Sequence, residues 1–175
     1  MGIIKKIVHF LSYIAYILII LYGIVCIPMI FGKTPVVVLS GSMEPTFKTG
    51  SVIYYEKVSA KDIKVGDIIT FKLDNKYISH RVNSIDNNLY ETKGDANSVA
   101  DVNKIEYNNI KGKVIDFYIP YIGYYIKFIN DNLRFIIITL IVILVSEFLL
   151  ENIETFDIDN NNNNNERSEM DNEKN

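Results

Sequence analysis

Residues 7–31 read IVHFLSYIAYILIILYGIVCIPMIF and contain no Asp, Glu, Lys or Arg. A helix needs about 20 apolar residues to cross a bilayer, so this run is long enough to be a membrane span. The apolar stretch of a cleaved signal peptide is shorter, about 7–15 residues, and is followed by small residues at a cleavage site. No Ala-x-Ala pattern follows this run, so an uncleaved anchor is expected. Cys26 follows Gly23-Ile24-Val25; the bulky valine before it argues against a lipid-attachment box and for a plain apolar position. A second apolar run fills residues 133–150, interrupted by Glu147. It is long enough to span, more so if its helix begins near Ile126; the alternatives are a buried helix or a hairpin-like dip into the membrane.

Lys5 and Lys6 precede the first run, so the positive-inside rule keeps the N-terminus cytoplasmic and puts the middle of the chain outside. Lys127 and Arg134 flank the second run on the outer side and oppose this orientation, but the first span usually dominates. The expected organisation is a cytoplasmic start at 1–6, spans at 7–31 and 133–150, an outer domain at 32–132, and a tail at 151–175. Both termini are then cytoplasmic in a multi-pass cell-membrane protein. The tail is polar and acidic with an asparagine run at 160–165, a composition that cannot bury a core and is expected to be disordered.

The rest of the composition removes whole classes. A net charge of -3 argues against a general nucleic-acid binder, which carries a basic face. One cysteine rules out an internal disulfide and argues against a cysteine-based zinc site. Neither GxGxxG nor GxxxxGK[ST] occurs. No metal or other cofactor is expected, and chelators should have no effect.

The outer domain reads as β-rich. Runs at 36–39, 52–55, 68–71, 77–85 and 114–117 are rich in β-branched and aromatic residues. Turn signals lie between them, and Asp74-Asn75 between two such runs fits a tight hairpin. The fold class expected is mainly β: an all-β domain flanked by two transmembrane helices.

Three clusters could carry chemistry. The apolar run at 36–39 ends in Ser40-Gly41-Ser42 and then Met43-Glu44-Pro45. A serine on a tight turn past a strand can aim its backbone N–H at an oxyanion, although Ser/Gly turns without function are common. A serine nucleophile needs a base at neutral pH. His9 lies in the first apolar run, so His80 is the one histidine available in the outer domain. Strand alternation puts Ile78, His80 and Val82 on one face and Ser79 and Arg81 on the other. An apolar face keeps an imidazole neutral and basic; the same face equally suits a core histidine bonded to a carbonyl. The third cluster, KGDANSVAD at 93–101, offers Asp95 and Asp101; either could orient the imidazole, and either could be a solvated loop aspartate.

In this order, SGSMEP, HRV, KGDAN with Asp101, and GKV running on to IPYIGY resemble the successive motif boxes of type I signal peptidases. Histidine at position 80 resembles the endoplasmic-reticulum-like branch, found also in archaea and spore-forming bacteria, rather than the branch with a lysine base. The resemblance implies an all-β peptidase core. It implies Ser42 as nucleophile, His80 as general base, Asp101 as its carboxylate partner, Asp95 as a supporting residue and Ser40 as an oxyanion donor. The implied substrates are secretory precursors with small residues at positions -1 and -3. Accessory subunits are left open, and no nucleic acid is implied. A free histidine titrates near pH 6.5, so activity should fall on acidification. The tyrosine-rich stretch at 117–125 would either rest on lipid headgroups or pack on the β core. Two other readings are a self-cleaving repressor-type protease, which would need a lysine base and a DNA-binding domain, and a membrane-tethered adaptor or complex subunit without catalysis.

Overall fold

A computed structural model describes the backbone of residues 2–173 and the side chains of 2–153 and Phe156. Helix α1 (Gly2–Ile30) is followed by seven strands: β1 (Thr34–Val37), β2 (Val52–Glu56), β3 (Ile68–Leu73), β4 (Lys76–Asp86), β5 (Leu89–Lys93), β6 (Ile105–Glu106) and β7 (Ile110–Ile119). Helices α2 (Gly123–Asp131) and α3 (Leu133–Glu173) complete the chain. The strands form one sheet in the order β1-β2-β7-β3-β4-β5-β6, and every pairing is antiparallel. The description "mainly β" does not carry over to the whole chain, because helices of 29, 9 and 41 residues accompany the sheet.

The described chain divides into two compact units, residues 21–131 and residues 1–20 with 132–175. The sheet lies in the first. Two of its hairpins are tight because asparagine and aspartate tolerate positive φ: Asp74 and Asn75 (φ 46° and 63°) join β3 to β4, and Asn87 and Asn88 (φ 49° and 63°) join β4 to β5. Alternation along β2 builds the core on both faces. Ile53 and Tyr55 pack with Met43, Phe47 and Val114. Val52 and Tyr54 pack on the opposite face with Val25 of α1 and Ile126 of α2, and the Tyr54 hydroxyl donates to the Val25 carbonyl at 2.9 Å. A third group, Ile63, Ile69, Phe71, Val82, Tyr90 and Ile105, underlies β3, β4 and β5. Each such side chain, fully buried, contributes about 1.5–3 kcal/mol.

Part of the tyrosine-rich stretch packs on the β core. Phe117 stacks on Tyr54 with ring centroids 5.6 Å apart, and Tyr118 meets Phe47 edge-on at 5.1 Å. Tyr121 and Tyr124 remain exposed.

In the second unit, the 21-residue window 133–153 of α3 is long and apolar enough to cross a membrane, as is α1, and the apolar window of α3 is 0% buried. A core helix of a water-soluble protein would instead be covered. Hydroxyls in these helices bond carbonyls one turn back: Ser12 to Val8, and Thr139 to Phe135. His9 Nδ1 lies 3.2 Å from Glu147 Oε1, and the Tyr16 hydroxyl donates to Glu147 Oε2 at 3.3 Å. Ionisable groups within apolar segments ordinarily find each other in this way. The backbone of α3 continues into the polar tail, where composition implied disorder. Extending an existing helix needs no new nucleus, which is why a segment with no apolar periodicity can still follow one. The side chains of the asparagine run at 160–165 lie outside the described residues.

Candidate active site

Beyond β1 the chain enters a 3-10 turn at Gly41–Met43, with Ser40 as its N-cap. Met43 is buried in the core under the turn, so the next residue back, Ser42, is carried on a supported backbone. Strand β1 ends at Val37, and Leu39 is exposed, so the apolar run at 36–39 is only half strand. The Ser40 side chain makes no capping bond; its hydroxyl lies 3.3 Å from Ser42 Oγ.

His80 stands in β4 opposite Ile69 of β3. The expected alternation holds: His80 and Val82 are buried and Ile78 is half-buried, while the Phe71 ring meets the imidazole edge-on at 6.3 Å between centroids. His80 Nε2 is 3.1 Å from Ser42 Oγ, and His80 Nδ1 is 2.6 Å from Asp101 Oδ2. An ionised carboxylate can only accept hydrogen bonds. Nδ1 therefore carries the proton towards Asp101, and Nε2 is left to accept from the Ser42 hydroxyl.

Asp101 reaches the imidazole because the loop after β5 folds back on that strand. Its N–H donates to the Thr92 carbonyl at 2.8 Å, and the Thr92 hydroxyl donates to Asp101 Oδ2 at 2.6 Å. Thr92 lies opposite Val82, on the face His80 shares. Thr92 was not singled out from the sequence; its signal was its place in the alternation of a strand that was itself not anticipated.

Asp95 does not touch His80 by hydrogen bond. Its partners are Arg81, through Nε at 2.8 Å and Nη2 at 2.7 Å, and the Thr46 hydroxyl. Hydrogen bonding from Arg81 is the main cause that holds the Asp95 carboxyl below its ordinary range; burial opposes it, and Thr46 and nearby positive charge assist. Asp95 thus ties the segment after Ser42 to the residue after His80. Arg81 and Thr46 are further residues missed from sequence. Gly94 completes this clamp: a Cβ there would come within 2.6 Å of the Ser42 carbonyl oxygen. That same oxygen accepts from the Ala96 N–H at 2.9 Å.

A groove of about 320 Å³ opens beside the relay between residues 36–40 and the first half of β4, with Met43 and Ile53 at its floor. Strand β5 pairs with β4 only from Arg81 onward, so the first half of β4 borders this groove without a β5 neighbour. Among the described residues, no group of three His, Cys, Asp or Glu converges as a metal-ligand set.

A hydroxyl, an imidazole and a carboxyl group in series, beside an apolar groove on an antiparallel sheet, form the arrangement of a serine-type hydrolase. Residues 10–101 match the family model described as "Signal peptidase, peptidase S26", and the chain belongs to this family. It is similar to Signal peptidase I W of Bacillus subtilis, with 40% identity over 99 residues, 53% of this chain and 52% of that protein. It is also similar to the signal peptidase complex catalytic subunit SEC11 of Candida dubliniensis, at 39% over 113 residues, 57% of this chain and 68% of that protein. To the catalytic subunit SEC11C of Canis lupus familiaris it is 35% identical over 114 residues, 57% of this chain and 59% of that protein. The matched region thus spans from about half to two thirds of these relatives. Similarity to bacterial and eukaryotic members together accords with the endoplasmic-reticulum-like branch that His80 suggested.

Proposed function

We propose that this chain is a membrane-bound serine endopeptidase that removes N-terminal signal peptides from translocated precursors. The observation that carries the proposal is the imidazole of His80 held between Ser42 Oγ at 3.1 Å and Asp101 Oδ2 at 2.6 Å. His80 Nε2 takes the Ser42 proton as Oγ attacks the scissile carbonyl. The acyl-enzyme forms, the leaving amine takes that proton from Nε2, and water then releases the signal fragment by the same route. Asp101 keeps the imidazole in the tautomer this needs and stabilises the imidazolium. The Ser42 N–H, in a first turn whose amides have no partner within the turn, and the Ser40 hydroxyl serve as oxyanion donors; losing one such donor commonly costs about 3–4 kcal/mol. Asp95 acts as a positioning residue through Arg81 and Thr46. The groove at residues 36–40 takes the acyl half, with small side chains before the scissile bond.

Helices α1 and α3 span the cell membrane, with the sheet domain outside and both termini in the cytoplasm. A site held at the outer surface meets substrates whose cleavage position emerges there and searches two dimensions for them. The SEC11 relatives are described as catalytic subunits of a complex, which supports a search for accessory subunits of this chain. The test is co-expression with a secretory precursor. Precursor should accumulate with S42A and with H80A and be processed by the unaltered chain; normal processing by both variants would overturn the proposal.

A further inference from the structure

We propose that Thr92 is a positioning residue of the relay: its buried hydroxyl fixes the Asp101 carboxylate so that one oxygen faces His80 Nδ1 through the reaction. This rests on the peptidase reading above and adds to it a residue that acts only through another.

A carboxylate on a loop does not hold still by itself. The outermost torsion of an aspartate is broad and roughly two-fold, so a single bond to an imidazole leaves either oxygen able to serve. Asp101 lies on the loop between β5 and β6, and its side chain is 25% exposed. Two bonds from residue 92 remove that freedom. The Asp101 N–H donates to the Thr92 carbonyl at 2.8 Å, which fixes the backbone from which the side chain departs. The Thr92 hydroxyl donates to Asp101 Oδ2 at 2.6 Å, and this is the same oxygen that lies 2.6 Å from His80 Nδ1. A carboxylate oxygen has lone pairs for two donors. Turning the carboxylate would break both bonds together.

The strand gives the hydroxyl its own firm mounting. Thr92 is 0% exposed, and a β-branched side chain has restricted χ1 freedom. It stands opposite Val82, two residues along β4 from His80. Diagonal neighbours of this kind stand about 7–8 Å apart, too far for a direct hydrogen bond, and the Asp101 carboxylate bridges the gap. Thr92 lines neither the groove beside Ser42 nor the cavity bounded by the loop at 96–103. Its influence on a substrate therefore runs through Asp101.

The test uses the full chain in lipid vesicles with a secretory precursor. T92V keeps the branched shape and removes the donor, whereas T92S keeps the donor and removes a methyl. T92V should lower kcat by roughly tenfold to a hundredfold, the scale of a hydrogen bond to a charged group, and leave KM unchanged. T92S should recover most of that rate even if its melting temperature falls. T92A against T92S repeats the comparison with the methyl absent from both, so the hydroxyl is scored even if valine upsets the fold. In a D101A background the hydroxyl has lost its acceptor, and T92V should cost nothing further. An unaltered kcat in T92V overturns the inference. So does the same fold loss from T92V with and without D101A, and so does a folded T92S as slow as T92A. Absence of any Ser42-dependent cleavage by the unaltered chain would instead sink the peptidase reading, and this inference with it.

Discussion

In the proposed mechanism Ser42 is an ordinary alcohol until its surroundings change it, and the groups assigned to that change are His80 and Asp101. Replacing Asp101 by Asn leaves the shape but offers an amide donor to Nδ1, which favours the wrong tautomer at Nε2. The expected loss in kcat is on the order of 10⁴-fold, the scale for this change in Ser-His-Asp sites, with little change in thermal stability. Activity within tenfold of the unaltered chain would remove Asp101 from the relay. Asp95 should behave differently. Its carboxyl is held below its ordinary value of 3.8, chiefly by the Arg81 hydrogen bonds. A depressed folded-state pKa contributes stability above the unfolded value and loses it as pH falls through the folded one. Asp95→Asn should therefore lower stability at neutral pH by about 1–3 kcal/mol, the usual cost of breaking such a bond. The gap to the unaltered chain should close as pH drops below 3.8. A gap of constant size across that window would contradict the assignment.

At the scale of elements, the site depends on two segments pressed together: the turn at Gly41–Met43 and the loop that begins at Gly94. Gly94→Ala puts a methyl 2.6 Å from the Ser42 carbonyl oxygen. Backbone must move to relieve this, at about 1–3 kcal/mol, and Ser42 should move with it, so proteolytic rate and melting temperature should fall together. Asn75→Ala at the β3–β4 hairpin, φ 63°, should cost about 1–2 kcal/mol for a left-handed alanine, and Asn75→Gly much less; chemical denaturation measures both. Five strands were legible in sequence because β-branched and aromatic residues cluster between turn residues. Strand β5 was not, since its run LYETK is only five residues long with two of them charged, and it is stabilised by pairing with β4. Strand β6 is two residues long and leaves no pattern. Helix α2 begins GYYI, a β-like sequence that is helical because Ile126 is buried against Tyr54 and Val25. The relay was legible as three residue types in order. The choice of Asp101 over Asp95 as the bonded partner depends on the loop folding back to Thr92, and no local spacing carries that.

For the molecule as a whole, the first twenty residues of the chain share a unit with α3, and polar contacts join the two helices there. His9 and Tyr16 of α1 meet Glu147 of α3, and polar bonds between membrane helices contribute about 0.6 kcal/mol each on average. Glu147→Leu should weaken pairing measurably without abolishing it. Cysteines introduced at positions 12 and 143, which line one small cavity, would read this as slower oxidative cross-linking in vesicles; an unchanged rate would mean that apolar packing alone pairs the helices. Membrane anchoring and catalysis meet in one expectation, that the nucleophile works on a substrate held in the same bilayer. The most direct test is an acid-quenched, intact-mass measurement of the full chain during precursor processing in vesicles. The expected result is a transient adduct with the mass of the signal fragment, located on Ser42 and absent from S42A. Mature product formed at the unaltered rate by S42A, with no adduct on either chain, would contradict the acyl-enzyme mechanism at its root.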